Sequence, residues 1–186
     1  SADLGGAARG IAFTRVEELG SAGRRPLEPL LADLGPEGHA ALTRLGVRFG
    51  RLHLYLPDLL KPGAIEARRR IVRLSGAGAL PAVPPGRTVL RRLPAALPAA
   101  AWRRIGYAAF GDLALRVDSL ERLAAGLRAR GREQGAFALP AELAAAAGLG
   151  RAELAAVAEA LGFRPGTAEG SAAVYRAAAR RAARPG

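Results

Sequence analysis

Between Leu45 and Pro62 the chain reads LGVRFGRLHLYLPDLLKP, and its apolar positions alternate like a strand before changing phase. Val47 and Phe49 share one face. After Gly50 the alternation resumes on Leu52, Leu54 and Leu56. A phase break at a glycine inside a period-two pattern predicts a bulge or tight turn between two short strands. Past Pro57 the spacing becomes helix-like, and Pro62 suits the first position of a helix. The predicted apolar stripe of that helix is Ala64, Ala67, Ile71 and Leu74, opposite a charged face of Glu66, Arg69, Arg70 and Arg73. Upstream, Ile11, Arg15 and Leu19 fall at helical spacing with Val16 beside them. Pro26 opens a short helix carrying Leu27, Leu30 and Leu31. Gly35-Pro36 restarts the chain into an apolar face that continues through Leu42 and Leu45.

The middle of the chain carries a different pattern. Five prolines between Ser75 and Ala99 (Pro81, Pro84, Pro85, Pro94 and Pro98) forbid a long helix and predict a linker, with a short extended piece at Thr88 to Leu90. Beyond it, Tyr107 to Phe110 and Leu113 to Val117 flank Gly111-Asp112, the arrangement of a hairpin with a tight turn. Asp118 lies three residues before Glu121, as in a capping box, and Leu120, Leu123, Ala124 and Leu127 form the buried stripe of the helix that follows. Pro140 opens the next helix, with Leu143 and Ala147 inward. Gly148-Leu149-Gly150 makes a corner, and Leu154, Val157, Ala158 and Leu161 give the stripe of a third helix ended by Gly162. The corner suits a helix-turn-helix. Phe163 to Arg176 then reads as a wing, two short strands around the loop RPGTAEGS.

The expected fold class is mainly α with small β-hairpins, an α+β chain in three parts. Residues 1–74 form a helical subdomain with a short β element near 47–56. Residues 75–99 form a Pro-rich linker. Residues 100–186 form a winged-helix-like subdomain with a basic C-terminal tail.

Three blocks, in order, also resemble a known family: ARGIAFTRVEELG from Ala8 to Gly20, the Leu45 to Pro62 block, and IGYAAFGDLALRVDSLERLAAGLRA from Ile105 to Ala129. Their wording is similar to the C-terminal region of bacterial superfamily 2 (DExH-type) helicases related to the RNA helicase of the mitochondrial degradosome. The resemblance runs from about Ala8 to Pro165, and its specificity lies in the order of the blocks, none of which is a catalytic signature. It implies a non-catalytic accessory region that contacts the nucleic-acid backbone or docks partners. It also implies that the ATPase motor, with its ATP and Mg, belongs to a helicase core of the same polypeptide upstream. Other RNA-processing proteins are then further expected partners. The alternative is a stand-alone winged-helix regulator or protein-interaction module.

Composition narrows the class. With 50% hydrophobic residues the chain is expected to fold; with 5% aromatic residues its core is built mainly from Leu, Ala and Val. The absence of cysteine excludes disulfides and thiolate metal sites. No apolar run is long enough to span a membrane, and the first residues lack a signal-peptide pattern. The missing initiator Met suggests a processed chain or an excised fragment, and a cytoplasmic location is the default expectation. No phosphate loop is present. His39 and His53 lie on different predicted elements without metal-pair neighbours, and Ser21, Ser75, Ser119 and Ser171 sit in turn or cap contexts. The chain is therefore expected not to be an enzyme and to hold no cofactor or metal.

Charge points to a partner. The net charge is +12, and Lys61 is the only lysine among the 28 basic residues. A GC-rich coding sequence accounts for the Arg-to-Lys ratio but not for the positive balance. Residues 1–98 carry 15 basic and 8 acidic side chains, residues 99–186 carry 13 and 8, so the charge is spread over both halves. A polyanion, RNA or DNA held mainly through its phosphates, is the simplest partner. If Glu66 pairs with Arg70, Arg69 and Arg73 are left for phosphate. Arg128, Arg164, Arg176 and Arg180 are the candidates downstream. The presumed recognition helix RAELAAVAEALG offers only Arg151 as a base reader, so reading of base edges is not expected from it. Trp102 and Tyr107 are candidate stacking platforms for unpaired bases, with Arg103 and Arg104 alongside. The competing role for Trp102, preferred in so aromatic-poor a chain, is core packing.

Overall fold

The computed structural model describes residues 5–76, 80–167 and 173–178, the side chains of Arg15 and Thr167 excepted. Among these residues the fold is mixed α/β, with eight α-helices and three three-stranded antiparallel sheets. The chain divides after Glu121 into two units, residues 1–121 and 122–186. No helix of the described residues is long and apolar enough to cross a membrane.

The first unit begins with α1 (Gly6–Glu17), β1 (Ser21–Gly23), α2 (Glu28–Ala32) and α3 (Gly35–Arg44). β2 (Arg48–Phe49) and β3 (His53–Tyr55) follow, on either side of the turn at Gly50. The sheet order is β1-β3-β2, so Leu54 stands opposite both Ala22 and Phe49. Leu54 is buried with Ile11, Leu42 and Val47 in one apolar cluster. The glycine at the phase break is required by close approach. A Cβ on Gly50 would lie 2.6 Å from the His53 carbonyl oxygen and 2.5 Å from the Glu121 carboxyl carbon.

A 3-10 turn (Pro57–Leu60) leads into α4 (Pro62–Leu74). Here the predicted stripe is rotated: the buried positions are Ile65, Arg68 and Val72, while Ile71 and Leu74 are exposed. The reason is Arg68, a cation that pattern reading places outside. Its fork donates to the carbonyls of Arg104 (2.8 Å) and Leu59 (3.0 Å) and to Ser21 Oγ (3.2 Å). Those acceptors satisfy the guanidinium N–H groups that burial removes from water. Val16 and Leu45, expected on inward faces, are also exposed.

The proline-rich stretch does not separate two domains. Its extended piece is β4 (Val89–Arg91), which joins β5 (Tyr107–Phe110) and β6 (Leu113–Arg116) in the order β4-β6-β5. Leu80 packs with Trp102, Ile105 and Tyr107, the first two from α5 (Ala99–Arg104) and its C-cap, in the second core of this unit. Proline forbids helix there but tolerates an edge strand. The β5–β6 hairpin closes through Gly111 and Asp112, with Phe110 opposite Leu113 and Gly111 at φ +62°.

The division falls within α6 (Val117–Gln134), whose Leu120, Leu123, Ala124 and Leu127 are buried as expected. The two residues of the expected capping box also have partners outside it. Arg116 donates two hydrogen bonds to Asp118, and Glu121 turns to the Gly50 loop of the first unit. In the second unit the order continues as β7 (Ala136–Phe137), α7 (Ala141–Ala147), α8 (Arg151–Ala160), β8 (Phe163–Thr167) and β9 (Ala173–Ala177), with sheet order β7-β9-β8. Gly148 adopts φ +71° at the corner between α7 and α8. Phe137 and Phe163 meet edge to face at 5.7 Å beneath the sheet.

Candidate nucleic-acid interface

The β8–β9 register places Arg164 directly opposite Arg176. Alternation puts Phe163, Pro165 and Tyr175 on one face of this sheet and Arg164 and Arg176 on the other, where both are exposed. The described neighbours on that outer face are Ala136, Gly166 and Val174, small or apolar and without charge. Cross-strand partners stand roughly 4.5–5.5 Å apart at Cβ, and like charges so placed repel each other. Two guanidinium forks rooted this close, with no carboxylate among the described residues of their sheet face, present the chemistry that pairs with an anion such as a phosphate.

The other expected contacts fare differently. Arg69 is held: it donates to both Glu66 carboxylate oxygens (2.7 and 2.9 Å) and to the Leu80 carbonyl (2.8 Å). Arg70 reaches the same carboxylate at 3.1 Å. These hydrogen bonds from Arg69 and Arg70 pull the Glu66 carboxyl down to about 2. The expected Glu66–Arg70 pair forms, but Arg69 is not left over for phosphate, because as the i,i+3 partner it forms the bidentate fork. Arg73 is exposed on the same helix, and Arg128 is half-buried in α6. Arg180, with the rest of the basic tail and residues 168–172 of the expected wing loop, lies outside the described residues.

Trp102 is 1% exposed and Tyr107 0%, so neither presents a face on which a base could stack. The Tyr107 hydroxyl donates to the Arg87 carbonyl, and burial pushes its phenol up to about 12. The exposed face of α8 shows Arg151, Ala152, Ala156, Glu159 and Ala160, a surface with one base-reading side chain. The Glu153 carboxylate is used at the helix start, where it accepts the Gly150 N–H at 2.7 Å.

Sequence reasoning missed one cationic surface. Arg87, Arg91 and Arg92 line a cleft of about 420 Å³ that Trp102 also lines, with no acidic residue in its lining. Its signal is the basic spacing around β4, obscured by the prolines. Arg92 has φ +57°, an uncommon conformation for a residue with a Cβ. Among the described residues no group of three or more His, Asp or Glu is placed to hold a metal ion. Comparisons with family models, with curated proteins and with solved structures return no significant match.

Proposed function

We propose that this chain is a non-catalytic nucleic-acid-binding accessory module that holds phosphates through arginine, with its second unit a winged helix. The order α6-β7-α7-α8-β8-β9 with sheet order β7-β9-β8 supports that fold assignment, with α7 and α8 as the helix-turn-helix and β8–β9 as the wing. The observation that carries the functional reading is the Arg164–Arg176 juxtaposition on a sheet face whose other described residues carry no charge. A like-charge cross-strand pair lowers stability, and an anionic partner removes that cost. The Ala-rich exposed face of α8 favours backbone contact over base reading. The Arg87–Arg92 cleft offers the same chemistry in the first unit. On the resemblance of the three sequence blocks, the module belongs to an ATP-dependent helicase whose motor lies elsewhere in the polypeptide.

The test is a titration of labelled single-stranded and duplex oligonucleotides against the protein and its Arg164→Ala/Arg176→Ala variant. The reading requires micromolar or tighter binding at low salt, weakened in the variant and insensitive to base sequence. Absence of binding at low salt overturns it.

A further inference from the structure

The cleft beside β4 carries more than a general positive charge. Arg87 precedes the strand and Arg92 follows it; both are exposed and both line the cleft, as does Arg91. Neighbouring side chains of a strand point to opposite faces. Arg91 and Arg92 nonetheless line one cleft, with Arg92 leaving the strand in the left-handed region at φ +57°. Glycine takes that conformation without strain, so the chain carries a guanidinium where the backbone favours no side chain. Strained residues of this kind collect at ligand sites. The backbone around both cations is tied down. The Tyr107 hydroxyl donates to the Arg87 carbonyl, the Arg116 N–H to the Thr88 carbonyl at 2.8 Å, and the Leu93 N–H to the Asp112 carbonyl at 2.9 Å. Asp112 itself is not in the lining, and no other acid is among the described residues there.

The rest of the lining is apolar, with Val83, Leu90 and Leu93 beside three prolines. Trp102 also lines the cleft but is 1% exposed, so a ligand's body rests on the aliphatic walls and not on the indole face. The volume of about 420 Å³ falls within the range of roughly 300–1,000 Å³ that small ligands fill. It suits one nucleotide of a single strand and not a stack of base pairs. An internal phosphodiester carries one negative charge. A phosphomonoester carries about 1.5–2 at neutral pH and offers three acceptor oxygens. Two guanidinium forks with no competing acid match the monoester. We infer that this cleft holds the phosphorylated end of a single strand, its monoester paired with Arg87 and Arg92 and its terminal nucleoside against Val83, Leu93 and the prolines. The inference rests on the reading of this chain as a module that holds nucleic-acid phosphates through arginine, and it adds which phosphate and where.

The probes are three internally labelled single strands of one sequence: one with a 5′-phosphate, one with a 3′-phosphate and one with hydroxyls at both ends. Anisotropy of each is followed with the full chain and with the Arg87→Ala/Arg92→Gly variant, whose folding is checked by thermal melting. The inference requires one phosphorylated strand to bind at least about tenfold tighter than the hydroxyl-ended strand, a separation of about one decade in Kd. It also requires the Arg87/Arg92 variant to erase that preference. Arg164→Ala/Arg176→Ala should weaken all three strands alike and keep it. Equal binding of the three strands contradicts the inference and leaves the phosphate-holding reading intact. No binding of any strand at low salt removes that reading, and the inference with it. The strand series on the unaltered protein decides both points even if a variant fails to fold. A preference that survives in the folded Arg87/Arg92 variant also contradicts the inference. So does displacement of the phosphorylated strand by adenosine monophosphate or by an oligoglutamate peptide as effectively as by the unlabelled strand, because the ligand is then a free nucleotide or any carboxylate.

Discussion

Glu121 receives the backbone N–H of His53 at 2.7 Å and lies 3.3 Å from the Nδ1 of the same residue. The carboxylate also accepts the N–H groups of Arg51 (2.7 Å) and Leu52 (2.9 Å), so one side chain satisfies the whole turn between β2 and β3. Burial alone raises the pKa of this carboxyl. The hydrogen bonds from the His53 ring and from the backbone of Leu52, Arg51 and His53 outweigh burial and hold it below the ordinary 4.5. A depressed folded-state pKa means the unfolded chain binds the proton more readily. The stabilisation is then complete above about pH 4.5 and is lost as pH falls through the folded value. Glu121→Gln is expected to lower stability by about 1–3 kcal/mol at neutral pH and to flatten the acid limb of the profile. Urea unfolding at several pH values checks this; an unchanged acid limb contradicts it.

Arg68 makes three hydrogen bonds while 4% exposed, and no carboxylate compensates it. Burial pushes its pKa down to about 10. Arg68→Ala strands the carbonyls of Leu59 and Arg104 and leaves a cavity, an expected loss of about 3 kcal/mol or more. Arg68→Met fills much of the volume and should lose less. Denaturant midpoints of the two variants measure the part of the loss that comes from the cavity, and equal midpoints show that the lost hydrogen bonds, common to both variants, account for it.

Trp102 is the protein's single tryptophan, so its fluorescence reports one site. In its buried position it is expected to emit in the blue and to stay unquenched when a single-stranded oligonucleotide is added. Trp102→Ala should cost about 3–5 kcal/mol, as for large core aromatics. Quenching by the oligonucleotide, with stability unchanged by Trp102→Ala, would restore the stacking role.

Several features were legible in the sequence because one local rule decides each. Gly111-Asp112 with flanking apolar runs gave the β5–β6 hairpin, Gly148 the corner, and Leu154, Val157 and Ala158 the buried face of α8. β1 and β7 were missed because three and two residues are too few to carry an alternation. The inward face of α4 was misread because Arg68 is buried through partners distant in sequence, Ser21 and Arg104, which no periodicity reveals. Arg164 and Arg176 were each legible as candidates. Their juxtaposition was not, since it depends on hairpin register, and a slip of one residue would send one side chain to the opposite face.

The same register predicts a trade between stability and binding. Arg176→Glu replaces a repulsive cross-strand pair by an attractive one, so the folded state should gain a few tenths to about 1 kcal/mol. The variant should at the same time bind nucleic acid more weakly than the parent. Thermal melting and the oligonucleotide titration, run on one preparation, check both signs. A variant that is less stable contradicts the assigned register.

The most direct test of the central claim is the salt dependence of nucleic-acid affinity, before and after the change of Arg164 and Arg176 to Ala. Each phosphate neutralised contributes about −0.7 on single strands and about −0.9 on duplex to the slope of log K against log salt. Loss of two contacts should therefore flatten the slope by about 1.4 on single strands or about 1.8 on duplex. Arg69→Ala, which removes an arginine already committed to Glu66 and Leu80, should leave the slope nearly unchanged. A slope that the Arg164/Arg176 double variant does not alter, while Arg69→Ala or Arg151→Ala flattens it, would contradict the account and move the contact to α4 or α8.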